Sequence, residues 1–203
     1  MYELLIIAAF VVTLAVVVLR PQRADAHCDT MEGPTAKDGV RALESADLDH
    51  ALKWVAPEGE AELREVFERS LAARKLGPEA QEVADRWFLE NLVRIHRAGE
   101  GAAFTGLLPA GTPVEEKVAA ADRSIEEGDL RPLAGLVPAE RWPELERRFA
   151  EVLEHREYDM HDLDAARAYV DAYVSFFKFA EGHDHDHPHV HAGRAHAGHG
   201  HGH

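Results

Sequence analysis

Histidine, cysteine and carboxylate side chains gather in three places along this chain. The first is His27-Cys28-Asp29-Thr30-Met31-Glu32-Gly33-Pro34, directly after Ala24-Asp25-Ala26, an A-x-A pattern of the kind cut during export. Cleavage after Ala26 would put an α-amine, the His27 imidazole and the Cys28 thiol within two residues. An amine with a pKa near about 8 and a thiol near about 8.5 can both lose a proton to a metal at neutral pH. With the backbone amide of Cys28 they form a nitrogen and sulfur set suited to square-planar Ni(II) or Cu(II). The terminal histidine alone can also chelate copper through its amine and ring. The bland alternative is an ordinary post-cleavage leader with an inert thiol, or a cysteine that pairs between molecules.

The second place is His96 and Glu100, four apart at the end of a helical stretch and therefore on one side of it. His96 adjoins Ile95 at the edge of an apolar stripe, which suits a half-buried ligand or a partner to one. A histidine there can equally serve the negative end of the helix dipole. The third is the tail, where His183, His185, His187, His189, His191, His196, His199, His201 and His203 make nine histidines in twenty-one residues. Spaced by Asp, Gly and Pro, they offer many low-specificity sites for Zn, Ni or Cu, and their titration near neutral pH makes the segment charge-responsive. His50, His155 and His161 read as surface and turn residues.

Other chemistries lack support. The 203 residues carry 22 Lys+Arg against 37 Asp+Glu, a formal net charge of −15, which argues against nucleic acid as a partner. A single cysteine excludes a disulfide framework and a four-thiolate metal site within one chain. There is no Gly-rich phosphate loop and no Gly-x-Ser-x-Gly elbow. Carboxylates such as Glu62, Glu65 and Glu144 stand beside Arg at helix-surface spacing and read as a solvated face.

Several elements must position these residues. Residues 4–19 are apolar except for Thr13, a span of roughly 24 Å as a helix against a bilayer core of about 30 Å. Residues 1–26 are thus expected to be a signal peptide, with an uncleaved membrane anchor as the alternative; the remainder is exported, periplasmic or extracellular. From about 37 to 181 the periodicity is helical: Leu63, Val66/Phe67 and Leu71; Ala84, Trp87/Phe88, Asn91/Leu92 and Ile95; Leu145, Phe149 and Val152/Leu153; Ala166, Val170, Tyr173, Phe177 and Ala180. Gly77-Pro78 marks a helix start, Gly99-Glu100-Gly101 a helix end, and Thr112-Pro113-Val114-Glu115 a capping box. An internal repeat appears at an offset of 82, aligning Asp47/Asp129, Leu48/Leu130, Val55/Val137, Leu63/Leu145, Phe67/Phe149 and Ala84/Ala166. The expected fold is all-α, a helical bundle of two similar units. The segments are 27–36 at the hook-like start, 37–98 for unit 1, 99–112 for the connection, 113–182 for unit 2 and 183–203 for a disordered His-rich tail.

Two resemblances bear on function. His-Cys-Asp-x-x-x-Gly resembles the nickel hook that opens mature nickel superoxide dismutase. That likeness implies His27 and Cys28 as ligands through amine, imidazole, amide and thiolate, with Asp29 and Gly33 matching the motif. Position six is Glu32, where that family has its second cysteine ligand. Over nearly the whole mature chain the sequence resembles an uncharacterised family of exported helical proteins. Its members open with His-Cys-Asp-Thr-x-x-Gly-Pro, here 27–34, and carry Arg-Ile-His-Arg-Ala-Gly-Glu-Gly, here 94–101. The expected function is transition-metal binding for handling, delivery or storage, with Ni or Cu at the N-terminus and Zn, Ni or Cu at the tail. The alternatives are a metal-dependent redox enzyme of superoxide dismutase type and a helical interaction module with incidental metal affinity. The expected partners are metal ions and a protein partner or second copy, with a membrane only if 4–19 is retained.

Overall fold

The computed structural model describes residues 27–183. The signal or anchor segment and the tail beyond His183 lie outside the described residues. Among the described residues the fold is all-α. Its helices are α1 (Pro34–Ser45), α2 (Asp49–Leu52), α3 (Glu60–Arg74), α4 (Pro78–Gly99), α5 (Glu116–Glu127), α6 (Trp142–His155) and α7 (Leu163–Glu181), with short 3₁₀ turns at Pro57–Gly59, Arg131–Leu133 and Ala139–Arg141. None of these helices is long and apolar enough to cross a membrane.

The offset of 82 recurs in the element bounds. It carries α1 onto α5 and Pro57–Gly59 onto Ala139–Arg141, starts α6 from α3, and ends α7 from α4. The local causes are alike. Proline opens α1 and α4, where its missing N–H costs nothing, and α6 has one in its first turn. Asp162 accepts the amide of Ala165 at 3.1 Å to cap α7. Gly128 ends α5 in the left-handed region. The capping box at Thr112 does not form. Thr112 Oγ1 donates to the Pro109 carbonyl at 2.6 Å and stays in the loop, and α5 begins at Glu116.

Each unit packs its long helices together, α3 on α4 with α1 across them and α6 on α7 with α5 beside them. The expected stripes are largely buried, with Phe88, Leu92, Leu145 and Phe177 inside, whereas Trp87 is 39% exposed and turns away from the core. Gly39 lets α1 approach α4, because a Cβ there would lie 2.6 Å from Leu89 and 2.7 Å from Leu92. The units keep distinct apolar clusters. Unit 1 supplies one around Leu52, Leu63, Phe88 and Leu92. Unit 2 supplies the other around Leu133, Leu145 and Phe176, and Cys28 and Trp54 from the first third of the chain join that second cluster. Cys28 thus seats the N-terminal stretch as a wedge in the far unit's core.

The connection covers that wedge. Thr30 and Leu108 form an isolated parallel bridge, with Met31 N–H on Leu108 O at 3.0 Å and Leu108 N–H on Asp29 O at 2.7 Å. Gly33 permits the turn into α1, since a Cβ would fall 2.1 Å from the His27 carbonyl oxygen. Gly33→Ala is accordingly expected to cost about 1–3 kcal/mol by forcing the 27–30 turn apart, read as a lower thermal midpoint. An unchanged midpoint would contradict this packing.

Candidate functional site

His27, 7% exposed, enters a polar cleft between the units. Its Nε2 lies 2.9 Å from Asp122 Oδ2 on α5 and 3.0 Å from the Tyr173 hydroxyl on α7. Tyr173 donates its own proton to Asp122 Oδ1 at 2.7 Å. Burial first, then the Asp122 carboxylate, pushes that phenol well above its ordinary value, so it remains a donor. With its proton spent on Asp122, the Tyr173 hydroxyl accepts from His27, so the network assigns the His27 proton to Nε2. Nδ1 then carries a lone pair, and that atom is buried with no hydrogen-bond partner.

Asp29 and Arg97 form a buried ion pair, with Nη2 donating to Oδ2 at 3.2 Å and Nε in charge contact with Oδ1 at 3.1 Å. Arg97 Nη1 also donates to Glu100 Oε2 at 2.9 Å, and Lys178 Nζ reaches Glu100 Oε1 at 3.2 Å. Two carboxylates thus meet two cations, and Asp29 and Arg97 are 4% and 3% exposed. Burial opposes ionising Glu100, yet His96, Lys178 and Arg97 together draw its carboxyl down to about 2.

His96 is 1% exposed. Its Nδ1 donates to the Trp54 carbonyl at 2.7 Å, because a carbonyl only accepts. Burial depresses its pKa, so the ring is neutral at neutral pH and Nε2 bears an unpartnered lone pair, 3.8 Å from Glu100 Oε2. Cys28 is a buried free thiol whose pKa is raised far above the ordinary value, by burial and then by the Glu100 charge. It stays protonated.

His27, Cys28, His96 and Glu100, distant in sequence, thus share one region beneath the connection. Their ligand atoms do not form a tight set. Among the described residues, Asp47, Asp49 and His161 are the group of three whose ligand atoms lie within 4.8 Å of one another. His161, read from sequence as a turn residue, is exposed there and binds Asp49 Oδ2 at 2.9 Å, which raises its pKa, with Asp47 and Asp159 adding to the effect. His183, at the root of the tail, lies 3.5 Å from Glu181 Oε2. His185, His187, His189, His191, His196, His199, His201 and His203 lie outside the described residues.

The cleft itself, about 390 Å³, was not legible in sequence. Its walls join α1 and the end of α2 to residues more than a hundred positions away, as in Lys53 Nζ to the Tyr158 hydroxyl at 2.9 Å. Lys53 also pairs with Asp38 Oδ2 at 2.9 Å, onto which the Trp54 indole donates at 2.8 Å.

Two outcomes are expected. Arg97→Met strands Asp29 and Glu100 and should cost about 3–5 kcal/mol; in the folded fraction Cys28 should then react rapidly with a thiol reagent, whereas in the native protein it reacts slowly. Equal thiol rates would contradict the wedge. As for pH, His96 has a folded pKa below its ordinary 6.5 and Glu100 one of about 2 against 4.5. Both contributions are complete above the ordinary values and are lost as pH falls. Denaturant titrations should show stability falling below about pH 6.5 and again from 4.5 toward 2, with the second fall much reduced in Glu100→Gln.

No curated protein and no solved structure matches the chain. One protein family matches residues 32–179, which reaches from before α1 into the last turn of α7 but begins beyond the His27-Cys28 pair. The chain belongs to that family, DUF6448, a family of unknown function.

Proposed function

We propose that the chain is an exported transition-metal-binding protein whose metal is held by its processed N-terminal histidine. One observation carries the reading: His27 is buried with Nε2–H on the Tyr173 hydroxyl and against the Asp122 carboxylate, and with Nδ1 left as an unpartnered lone pair. A carboxylate on the far ring nitrogen is how proteins orient a metal-ligating imidazole and raise its basicity. Once cleavage after Ala26 exposes the α-amine, amine and Nδ1 of the same residue close one chelate ring. Two nitrogen donors of this kind favour Cu(II) or Ni(II).

Cys28 contributes less in the apo protein. Its thiol is held protonated beside Glu100, so a metal must displace that proton before the fuller hook can form. The redox alternative depends on that thiolate and on a second one, where this chain has Glu32, whose Oε2 accepts the Gly111 amide at 2.9 Å. Handling, delivery or storage is therefore the preferred role, with the histidines of 183–203 collecting metal for the single buried site.

Intact mass and metal content of the natively exported protein test this, with and without residues 183–203. The expected result is a mass starting at His27 and about one Cu or Ni retained without the tail. That metal should be absent in His27→Ala and bound about 10–100-fold more weakly in Asp122→Asn. A mass that retains residues 1–26, or no metal once the tail is removed, would overturn the proposal.

A further inference from the structure

The cleft beside His27 carries a second reading that does not depend on a metal. Its inner carboxylates are engaged, and the one buried acceptor left over is Nδ1 of His27. Asp38 Oδ1 takes Arg41 at 2.8 Å while Oδ2 takes Lys53 and Trp54, and Asp122 is divided between His27 and Tyr173. Its donors are not all engaged. Lys53, 4% exposed, gives one N–H to Asp38 and one to Tyr158 and keeps a third. Tyr158 accepts from Lys53, which leaves its own proton unspent. Tyr169 also lines the cleft, and its hydroxyl has no hydrogen-bond partner among the described residues. Burial first, then Tyr158, holds that phenol above its ordinary value, so it too remains a donor. The carboxylates with capacity to spare, Glu32 and Glu126, are exposed at the rim, where water and salt screen them.

Shape narrows the class. The Tyr158 and Tyr169 rings lie 5.3 Å apart at 32°, and Tyr169 and Tyr173 lie 6.4 Å apart at 33°. Trp54 and Ile125 complete an apolar wall. A volume of about 390 Å³ falls at the small end of ligand sites, room for a single-ring compound. Inside the cleft there is no guanidinium without a carboxylate partner to grip a phosphate at two points; Arg156 is exposed at the rim.

We infer that the cleft binds a small planar carboxylic acid, its carboxylate taking the unspent protons of Lys53, Tyr158 and Tyr169 and its flat body lying against the tyrosine rings and Trp54. The acid replaces water on donors that the fold leaves unsatisfied, and hydrogen bonds to a charged acceptor are the strong ones.

The test is calorimetric titration of the full chain near neutral pH, after metal has been stripped and the chelator dialysed away. The probes are 4-hydroxybenzoate, its uncharged partner 4-hydroxybenzamide, and inorganic phosphate. Saturable binding of the benzoate is expected, with the amide and phosphate weaker by about tenfold or more. Tyr169→Phe, whose melting point verifies folding, should weaken the benzoate by about tenfold, while Lys75→Ala, exposed after α3 and outside the cleft lining, should leave it nearly unchanged. Absent benzoate binding, equal binding of acid and amide, preference for phosphate, or indifference to Tyr169→Phe would each overturn the inference. Because the protein is metal-free throughout, failure of the metal reading at His27 would leave these outcomes untouched.

Discussion

The ion pair between Arg97 and Asp29 is the contact on which the rest of the molecule depends. Placing Asp29 inside a protein would be prohibitive without an opposite charge at hydrogen-bonding distance. Arg97 meets it with a hydrogen bond from Nη2 and a second charge contact from Nε, and Glu100 and Lys178 extend the pattern until these four charges balance. With Asp29 neutralised, its neighbours can be buried as well. Cys28 joins the apolar cluster of unit 2, and His27 is delivered to Asp122 and Tyr173. A chain with a formal net charge of −15 thus keeps this buried cluster charge-balanced.

The same contact explains why two separated stretches belong together. Residues 27–34 supply the wedge, and residues 94–101 supply its receptor: His96 secures Trp54, Arg97 grips Asp29, and Glu100 reaches Lys178 on α7. Unit 1 and unit 2 are joined by polar contacts through this receptor and by Trp54 against Tyr173, while each keeps its own apolar cluster. His96 is chiefly a support in this arrangement. Its second nitrogen faces a carboxylate already engaged by two cations, which leaves little attraction for a divalent ion. His27 differs, because its carboxylate partner holds the far nitrogen and leaves the near one unspent.

Much of this was readable from the chain because helices announce themselves locally. The stripe from Ala166 to Ala180, the proline at Pro78, and the offset of 82 all reflect interactions within a few residues or a duplicated pattern of them, whereas Pro34, expected in the hook-like segment 27–36, already opens α1. The Thr112 box misled because a capping sequence competes with any nearby carbonyl, and Pro109 lies closer. Burial of 27–30 was hidden because polar types are ordinarily exposed, and the compensating Arg97 stands 68 positions away. The cleft was hidden for the same reason: nothing in the spacing of Lys53, Tyr158 and Tyr169 relates them before the units pack.

The central claim is that a metal seats on Nδ1 of a processed His27 whose far nitrogen rests on Asp122. Electron paramagnetic resonance tests it most directly, using one equivalent of Cu(II) on protein that begins at His27 and ends at residue 182. The account predicts a single nitrogen-rich copper species that shows imidazole coupling, disappears in His27→Ala and changes its nitrogen coupling in Asp122→Asn. A solvated copper spectrum, or one that His27→Ala leaves unaltered, would contradict it.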